Sequence, residues 1–341
     1  MIIFLLAPAN SSHTLKWANS LSSFGFKVYL FSFDPIKGKY NKSININIFS
    51  SPSFINFFKG IFYIRKQIKR IKPNVVHAHY LTRYGFLGTF LNFKPLVVSA
   101  WGTDIYNFPK RSFLHYKLIN YVLNNATFIT STSNCMANQI RKLFPKIKSI
   151  AVVPFGVETE VLDRSKFKKN KKKSITIGTI KTLEYIYGID VLIKAFSIVK
   201  KETKKHNLSL IIAGEGSQKS NYIKLVNNLG ISKNVSFLGS VLPHKVPKVL
   251  ASIDIFVALS RRESFGVSIL EALSMSIPVI TSSAEGFREI ITNNKTGLIV
   301  PIDDISSACS AIKFLLLDAN RRKILGENGR ELVIKKYELR D

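Results

Sequence analysis

Residues 260–271 read S-R-R-E-S-F-G-V-S-I-L-E. Two glutamates, Glu263 and Glu271, stand eight positions apart and bracket Ser264-Phe265-Gly266. The apolar run 253–259 ahead of them predicts a buried strand. After them, Val267, Leu270, Ala272 and Leu273 recur at helical spacing and stop before Pro278. The stretch therefore reads as strand, tight glycine-bearing turn, then helix. Such a helix start presents unpaired backbone N–H groups and the positive end of a dipole, a natural seat for a phosphate.

The spacing carries chemistry. Eight residues of helix rise about 12 Å, the order of the distance from ribose to hexose in a nucleotide sugar. A carboxylate at each end accepts hydrogen bonds from sugar hydroxyls, while the helix start takes the diphosphate between them. Two solvated glutamates on a capped surface helix would give the same pair. The strand, the Ser-Phe-Gly turn and the following Pro278-Val279-Ile280 favour the binding reading. As a whole the pattern resembles the E-x7-E motif of retaining GT-B glycosyltransferases, specifically glycosyltransferase family 4.

Composition sets the outer bounds. At 341 residues and 46% hydrophobic content the chain is comfortable as two ordinary domains with real cores. Residues 1–8 are apolar but lack a basic start and are too short for a secretory core, so they read as a first strand. No run of eighteen apolar residues suggests a membrane span. Cys135 and Cys309 stand far apart without a Cys or His cluster, which disfavours a disulfide framework or zinc site and suits a reducing cytosol. The net charge of +29 fits nucleic acid, an anionic membrane surface, anionic substrates, or a lysine-rich background. Composition leaves these open.

The N-terminal half opens β-α-β: a strand over 1–6, a polar turn at Asn10-Ser11-Ser12-His13 into a helix, and a strand over 28–33. It has no G-x-G-x-x-G, so a dinucleotide cofactor is not expected. Residues 54–72 predict a basic amphipathic helix with Phe58, Ile61, Ile64, Ile68 and Ile71 at helical spacing. Two readings stand: a helix lying in a bilayer interface, or one packing on the sheet with its lysines solvated. Strands over 74–79 and 95–100 end at His79 and at Trp101-Gly102-Thr103-Asp104. In open α/β folds ligands sit beyond such strand ends. By the resemblance, His13, His79, Trp101 and Asp104 become acceptor-side candidates, with Trp101 where many family members carry histidine. Each is also readable as a structural residue, His13 more so because a lone histidine in a helix cap is more often structural.

Pro154-Phe155-Gly156-Val157-Glu158 resembles the turn at which family members leave the first domain, and the lysine-dense 166–173 that follows reads as a linker. A second β-α series starts with a strand over 174–180. Family members place Arg after the first glycine and Lys before the second, where the two hold the donor diphosphate; here Thr179 and Tyr187 occupy those places. Lys181, in the same loop, is the candidate replacement, and Arg261 and Arg262 are weaker ones. Gly214-Glu215-Gly216 and the 235–239 strand with Gly239 resemble the nucleotide-side loops. Glu285 stands in place of the first glycine of a Gly-Gly-x-x-Glu segment.

The resemblance, spread over the whole chain and most specific from 174 to 301, implies an α/β protein of GT-B type: two Rossmann-like doubly wound domains facing a central cleft. Residues 1–156 would bind acceptor, 157–173 link, 174–320 bind the nucleotide sugar, and 321–341 form a final helix that crosses back or is cut short. It implies retaining transfer of a hexose to a saccharide or lipid-linked saccharide, in polysaccharide or lipopolysaccharide assembly. The protein would be cytoplasmic and peripheral at the inner membrane face. Glu263, Lys181 and Asp104 are the catalytic candidates. Gly178, Thr179, Lys181, Gly214, Glu215, Gly239, Ser264, Phe265, Gly266, Val267 and Glu271 are the donor-side ones. With no Asp-x-Asp, neither metal nor cofactor is expected; the partners are the nucleotide-sugar donor, the acceptor and an anionic membrane surface. A nucleic-acid partner is not expected, because no basic and aromatic residues interleave along one stripe. The rival reading is a membrane-surface scaffold whose donor site has decayed.

Overall fold

The computed structural model describes residues 1–49, 54–167 and 174–339. It divides into two compact units, Met1–Pro154 and Phe155–Asp341.

In the first unit the elements run β1 (Ile2–Leu6), α1 (Ser12–Ser23), β2 (Lys27–Ser32), β3 (Asn45–Ile48), α2 (Phe54–Ile71), β4 (Val75–His79), α3 (Arg83–Thr89) and β5 (Leu96–Ala100). Then come α4 (Thr103–Tyr106), α5 (Phe113–Asn125), β6 (Phe128–Ser131), α6 (Asn134–Leu143) and β7 (Ala151–Val152). Seven parallel strands form one sheet in the order β3-β2-β1-β4-β5-β6-β7. Strands buried on both faces read as continuous apolar runs, as in Ile-Ile-Phe-Leu-Leu of β1. Leu5, Val28 and Leu30 pack towards Ala18 of α1 on one face. Phe4, Leu6, Val76 and Val98 pack towards Ile64 of α2, Leu87 of α3 and Ile119 of α5 on the other. Side-chain oxygens of Ser112 and Ser133 accept the N–H groups of His115 and Met136, capping α5 and α6.

The second unit runs β8 (Ser174–Ile180), α7 (Ile189–Glu202), β9 (Asn207–Ala213), α8 (Lys219–Asn228), β10 (Val235–Gly239), α9 (Val246–Ala251) and β11 (Ile255–Ala258). It continues with α10 (Val267–Ser274), β12 (Val279–Ser282), α11 (Glu285–Arg288), β13 (Leu298–Val300), α12 (Ile305–Leu317) and α13 (Ala319–Lys336). Its six parallel strands are ordered β10-β9-β8-β11-β12-β13. The winding direction reverses between β1 and β4 in one sheet and between β8 and β11 in the other. Such reversals open a crevice at the strands' carboxyl ends.

The stretch after the first unit differs from its expected role as a linker. From Phe155 to Phe167 it is docked on the second unit: Arg164 pairs with Asp254 at 3.1 Å, and Leu162 O accepts from Ser274 Oγ at 2.9 Å. Val157 exchanges backbone bonds with Tyr337 and Leu339, so the chain's last described residues pair with this segment. The lysine-dense remainder, 168–173, lies outside the described residues. The final helix, α13, begins at Ala319 and packs on α10, where Gly329 meets Leu273 and Gly326 meets Ser276 O. A strand over 45–48 and helices over 83–89 and 219–228 were not expected; the first is only four residues, Asn-Ile-Asn-Ile.

Candidate active site

The turn after β11 and the loop after β8 meet where the second sheet reverses. Lys181 Nζ lies 2.5 Å from Glu263 Oε2, and both side chains are largely buried, at 13% and 9% exposure. Ser260 Oγ donates to the same carboxylate oxygen at 3.3 Å. Lys181 Nζ stands 4.8 Å from the centroid of the Tyr187 ring and 6.0 Å from that of Phe287, two π faces that favour a cation. Tyr187 thus supports the Lys181 cation.

The turn itself is locked by glycine. Gly266 has φ +113, and a Cβ there would lie 2.9 Å from the Phe287 ring. Gly286 donates its N–H to Glu263 O at 3.2 Å, and a Cβ there would meet Phe265 N at 2.6 Å. Gly266 is the residue from which α10 starts, so the N–H groups that follow face out of the same turn. Phe265 is buried against Phe155 and Tyr337, and Glu271 follows one helical turn beyond Val267.

The neighbouring loops join this centre. Lys181 N donates to Ala213 O at 2.9 Å, and Gly214 N donates to Gly239 O at 2.8 Å. Glu215 Oε1 pairs with Lys219 at 2.7 Å. Arg261 sits differently from its expected place as a plain surface charge or spare cation. It grips Asp190 through two bonds of 3.0 and 2.8 Å, pairs with Asp303 at 2.8 Å and stacks 3.8 Å from the Tyr185 ring centroid. Hydrogen bonding to Asp190 raises its pKa further. Its charge is spent on holding this loop to the start of α7. Two expected donor-side residues are inside the sheet: Thr179 is buried in β8, and a Cβ on Gly178 would run into Ile253.

In the first unit, Trp101 and His79 approach to 4.3 Å between ring centroids, and His13 meets Trp101 at 5.7 Å. Trp17 and His77 complete this aromatic group at the reversal between β1 and β4. His79 is fully buried, and neither ring nitrogen has a hydrogen-bond partner. Burial, followed by the fields of His77 and His13, lowers its pKa well below the usual histidine value. Burial pushes His77 down to about 4, and its Nε2 lies 2.7 Å from Ser99 Oγ. Asp104 does not fit its expected acceptor-side, proton-accepting place. It is buried and accepts the backbone N–H groups of Leu81 at 3.0 Å, Gly102 at 2.8 Å and Trp101 at 3.2 Å. Burial raises its pKa against the opposing pull of those bonds. It holds the loops that present Trp101.

With this geometry in hand, likeness to known proteins is decisive. A family profile described as glycosyl transferases group 1 matches residues 162–332, half of the chain, and one described as glycosyl transferase 4-like matches residues 2–133. The chain belongs to the group 1 glycosyl transferases. It is 25% identical over 281 residues to N-acetyl-alpha-D-glucosaminyl L-malate synthase of Bacillus anthracis, covering 79% of this chain and 72% of that one. Other curated relatives are spanned over 39–62% of their length. Among solved structures, sucrose-phosphate synthase of Thermosynechococcus elongatus superposes with a TM-score of 0.85 at 18% identity, over 99% of this chain and 95% of that one. Anabaena HepE in complex with UDP gives 0.81 at 16% identity, over 99% and 96%. These last two likenesses establish the GT-B fold of a group 1 enzyme. Glu263 and Glu271 lie on the turn and helix described above, and Ser260, Tyr187 and Phe287 are neighbours of this centre that the spacing of the two glutamates did not show.

Proposed function

We propose that this group 1 enzyme moves a hexose, with retention, from a nucleotide-diphosphate sugar to a saccharide or lipid-linked saccharide. The observation that carries the reading is the buried Lys181–Glu263 pair at the reversal point, beside the start of α10. Lys181 and the N–H groups after Gly266 would hold the diphosphate, Glu263 the hexose hydroxyls and Glu271 the ribose. The solved relative that binds UDP supports a nucleotide-sugar donor. In the step, the bond between the anomeric carbon and the diphosphate oxygen breaks as the acceptor oxygen bonds to the same face. The acceptor's proton passes to the leaving phosphate. Preorganised positive charge at the leaving group lowers the barrier most. A lysine and a helix terminus supply that charge without a metal ion, and we propose a metal-independent reaction on that ground. Assembly of a cell-surface polysaccharide or lipopolysaccharide at the cytoplasmic membrane face is the setting this acceptor class suits.

Thermal unfolding with UDP, GDP, ADP and their common sugars, in EDTA, tests the reading. A ligand that binds the folded state alone must raise the midpoint. One base should do so, and Glu271→Ala should abolish the shift. No shift with any nucleotide would overturn the proposal.

A further inference from the structure

Lys181 acts from a loop, 181–188, that is fastened on two sides. Its first half is held by the end of β9 and the loop after it. Lys181 N donates to Ala213 O, Leu183 N to Glu215 O and Gln218 N to Leu183 O, each at 2.9 Å. The approach there leaves no room for a side chain: a Cβ on Gly214 would lie 1.9 Å from Lys181 O, and one on Gly216 would lie 2.4 Å from Leu183 O. The second half is held by Arg261, from the loop that carries Glu263. Arg261 N donates to Ile186 O at 2.8 Å. Its guanidinium donates to Tyr185 O at 2.5 Å while gripping Asp190 at the start of α7. Gly188 closes the same contact, since a Cβ there would stand 2.0 Å from Leu259 O.

Arg261 is largely buried, and its charge is met by two carboxylates, Asp190 and the half-exposed Asp303. A cation so matched has little field to spare for a phosphate. What its planar fork supplies is geometry, because it fixes its partners in direction as well as in distance. Tyr187, two residues after the gripped Tyr185 carbonyl, sets its ring 4.8 Å from Lys181 Nζ. Glu263, two residues after Arg261, holds that same nitrogen at 2.5 Å. Tyr187 and Glu263 are thus registered against each other through Arg261.

On the donor reading proposed above, on which this rests, we infer that Arg261 is a positioning residue of the donor site. It fixes where the Lys181 ammonium stands, and so how well that charge meets the terminal phosphate of a nucleoside diphosphate. A lysine ammonium rides on a flexible four-carbon stem, and misplacing a positioned group by about 1 Å can cost about 100-fold in rate. Arg261 acts through Lys181 and touches neither sugar nor phosphate itself.

Calorimetric titration of the full chain with UDP, GDP and ADP, and with UMP, GMP and AMP, tests this. The monophosphates keep base and ribose but lack the terminal phosphate. Arg261→Lys keeps the charge and loses the fork; it should weaken the diphosphate about tenfold and the monophosphate by under about twofold. Asp190→Asn, which removes one of the two gripped oxygens, should shift the same ratio in the same direction by less. Asp303→Asn should change neither ligand by more than about twofold, as befits an exposed pair. Retained monophosphate binding shows at the same time that a variant is folded. Equal losses for both ligands in Arg261→Lys would mark a merely structural role and overturn the inference. So would diphosphate binding that Arg261→Lys leaves unchanged while Arg261→Met loses it, the mark of a charge acting at a distance. A parent protein that binds no nucleotide would bring down the donor reading itself, and the positioning role with it.

Discussion

Removing the carboxylate of Glu263 and removing the ammonium of Lys181 should change nucleotide affinity in opposite directions. In the free protein the two are 2.5 Å apart and largely out of water, so the lysine's charge is matched before any diphosphate arrives. Glu263→Gln leaves a similar shape and hydrogen bonds but deletes the matching charge. A diphosphate about 7 Å from the deleted carboxylate loses a repulsion of about 2 kcal/mol per phosphate charge at an effective dielectric of 20. Solvent and relaxation reduce this, so an observed gain of about 1 kcal/mol, roughly fivefold tighter binding, is expected. Lys181→Met removes an attraction at about 4 Å, worth about 4 kcal/mol on the same scale, and should weaken binding at least 100-fold. It also strands Glu263 beside apolar rings, a change that typically costs about 3–5 kcal/mol of stability. Calorimetric titration with the free nucleoside diphosphate reads both effects, and the double variant gives the coupling. Turnover should collapse in Glu263→Gln even as the diphosphate binds better. Equal weakening in both single variants would refute the argument, because Glu263 would then be a diphosphate ligand's partner and not its competitor.

Other consequences are open to measurement. Gly266→Ala should lower stability by about 2–4 kcal/mol, from a strained φ of +113 plus the crowding of the Phe287 ring, read by urea unfolding. Arg261→Lys should lose the two-pronged grip on Asp190. A double-mutant cycle with Asp190→Asn should show a coupling of about 1–2 kcal/mol, whereas the exposed Asp303 should contribute under about 1 kcal/mol. His77 is depressed to about 4 by burial, so the unfolded chain takes up its proton first as pH falls. Its contribution is intact above about pH 6.5 and drains towards pH 4, by about 3 kcal/mol in all. His77→Gln should flatten that part of the pH profile of urea unfolding. Asp104→Leu should cost about 3 kcal/mol by orphaning three backbone N–H groups, while His13→Ala, at the half-exposed start of α1, should cost under 1.

How legible this molecule was in its sequence depended on the range of the forces involved. Helices and strands rich enough in apolar residues announced themselves: the strand over 174–180, buried on both faces, and the helix from Val267 are where the apolar pattern put them. The four-residue β3 has too little pattern to stand out and exists because β2 offers it an edge. At the site, the two glutamates and Lys181 were visible, but their pairing was not, since 82 positions separate Lys181 from Glu263. Arg261 and Asp104 were misplaced for the same reason: a charged residue in a loop looks available until its partners are known. Lysine density likewise concealed how residues 155–167 fasten to the second unit, because the anchors there are Phe155, Val157 and Arg164 and not the lysines.

The pairing of Val157 with Tyr337 and Leu339 has a bearing on how the molecule is made. Phe265, two residues after Glu263, rests on Phe155 from one end of its unit and Tyr337 from the other. Contacts joining positions some 180 apart close late, since the loop between them must first be gathered. A nascent chain emerging from the ribosome can finish its first sheet while the rest is still being translated. The turn around Phe265 acquires its second support only when Tyr337 has been added and has cleared the exit tunnel. Competence to bind the nucleotide should thus appear in one late step, only once translation has passed Tyr337.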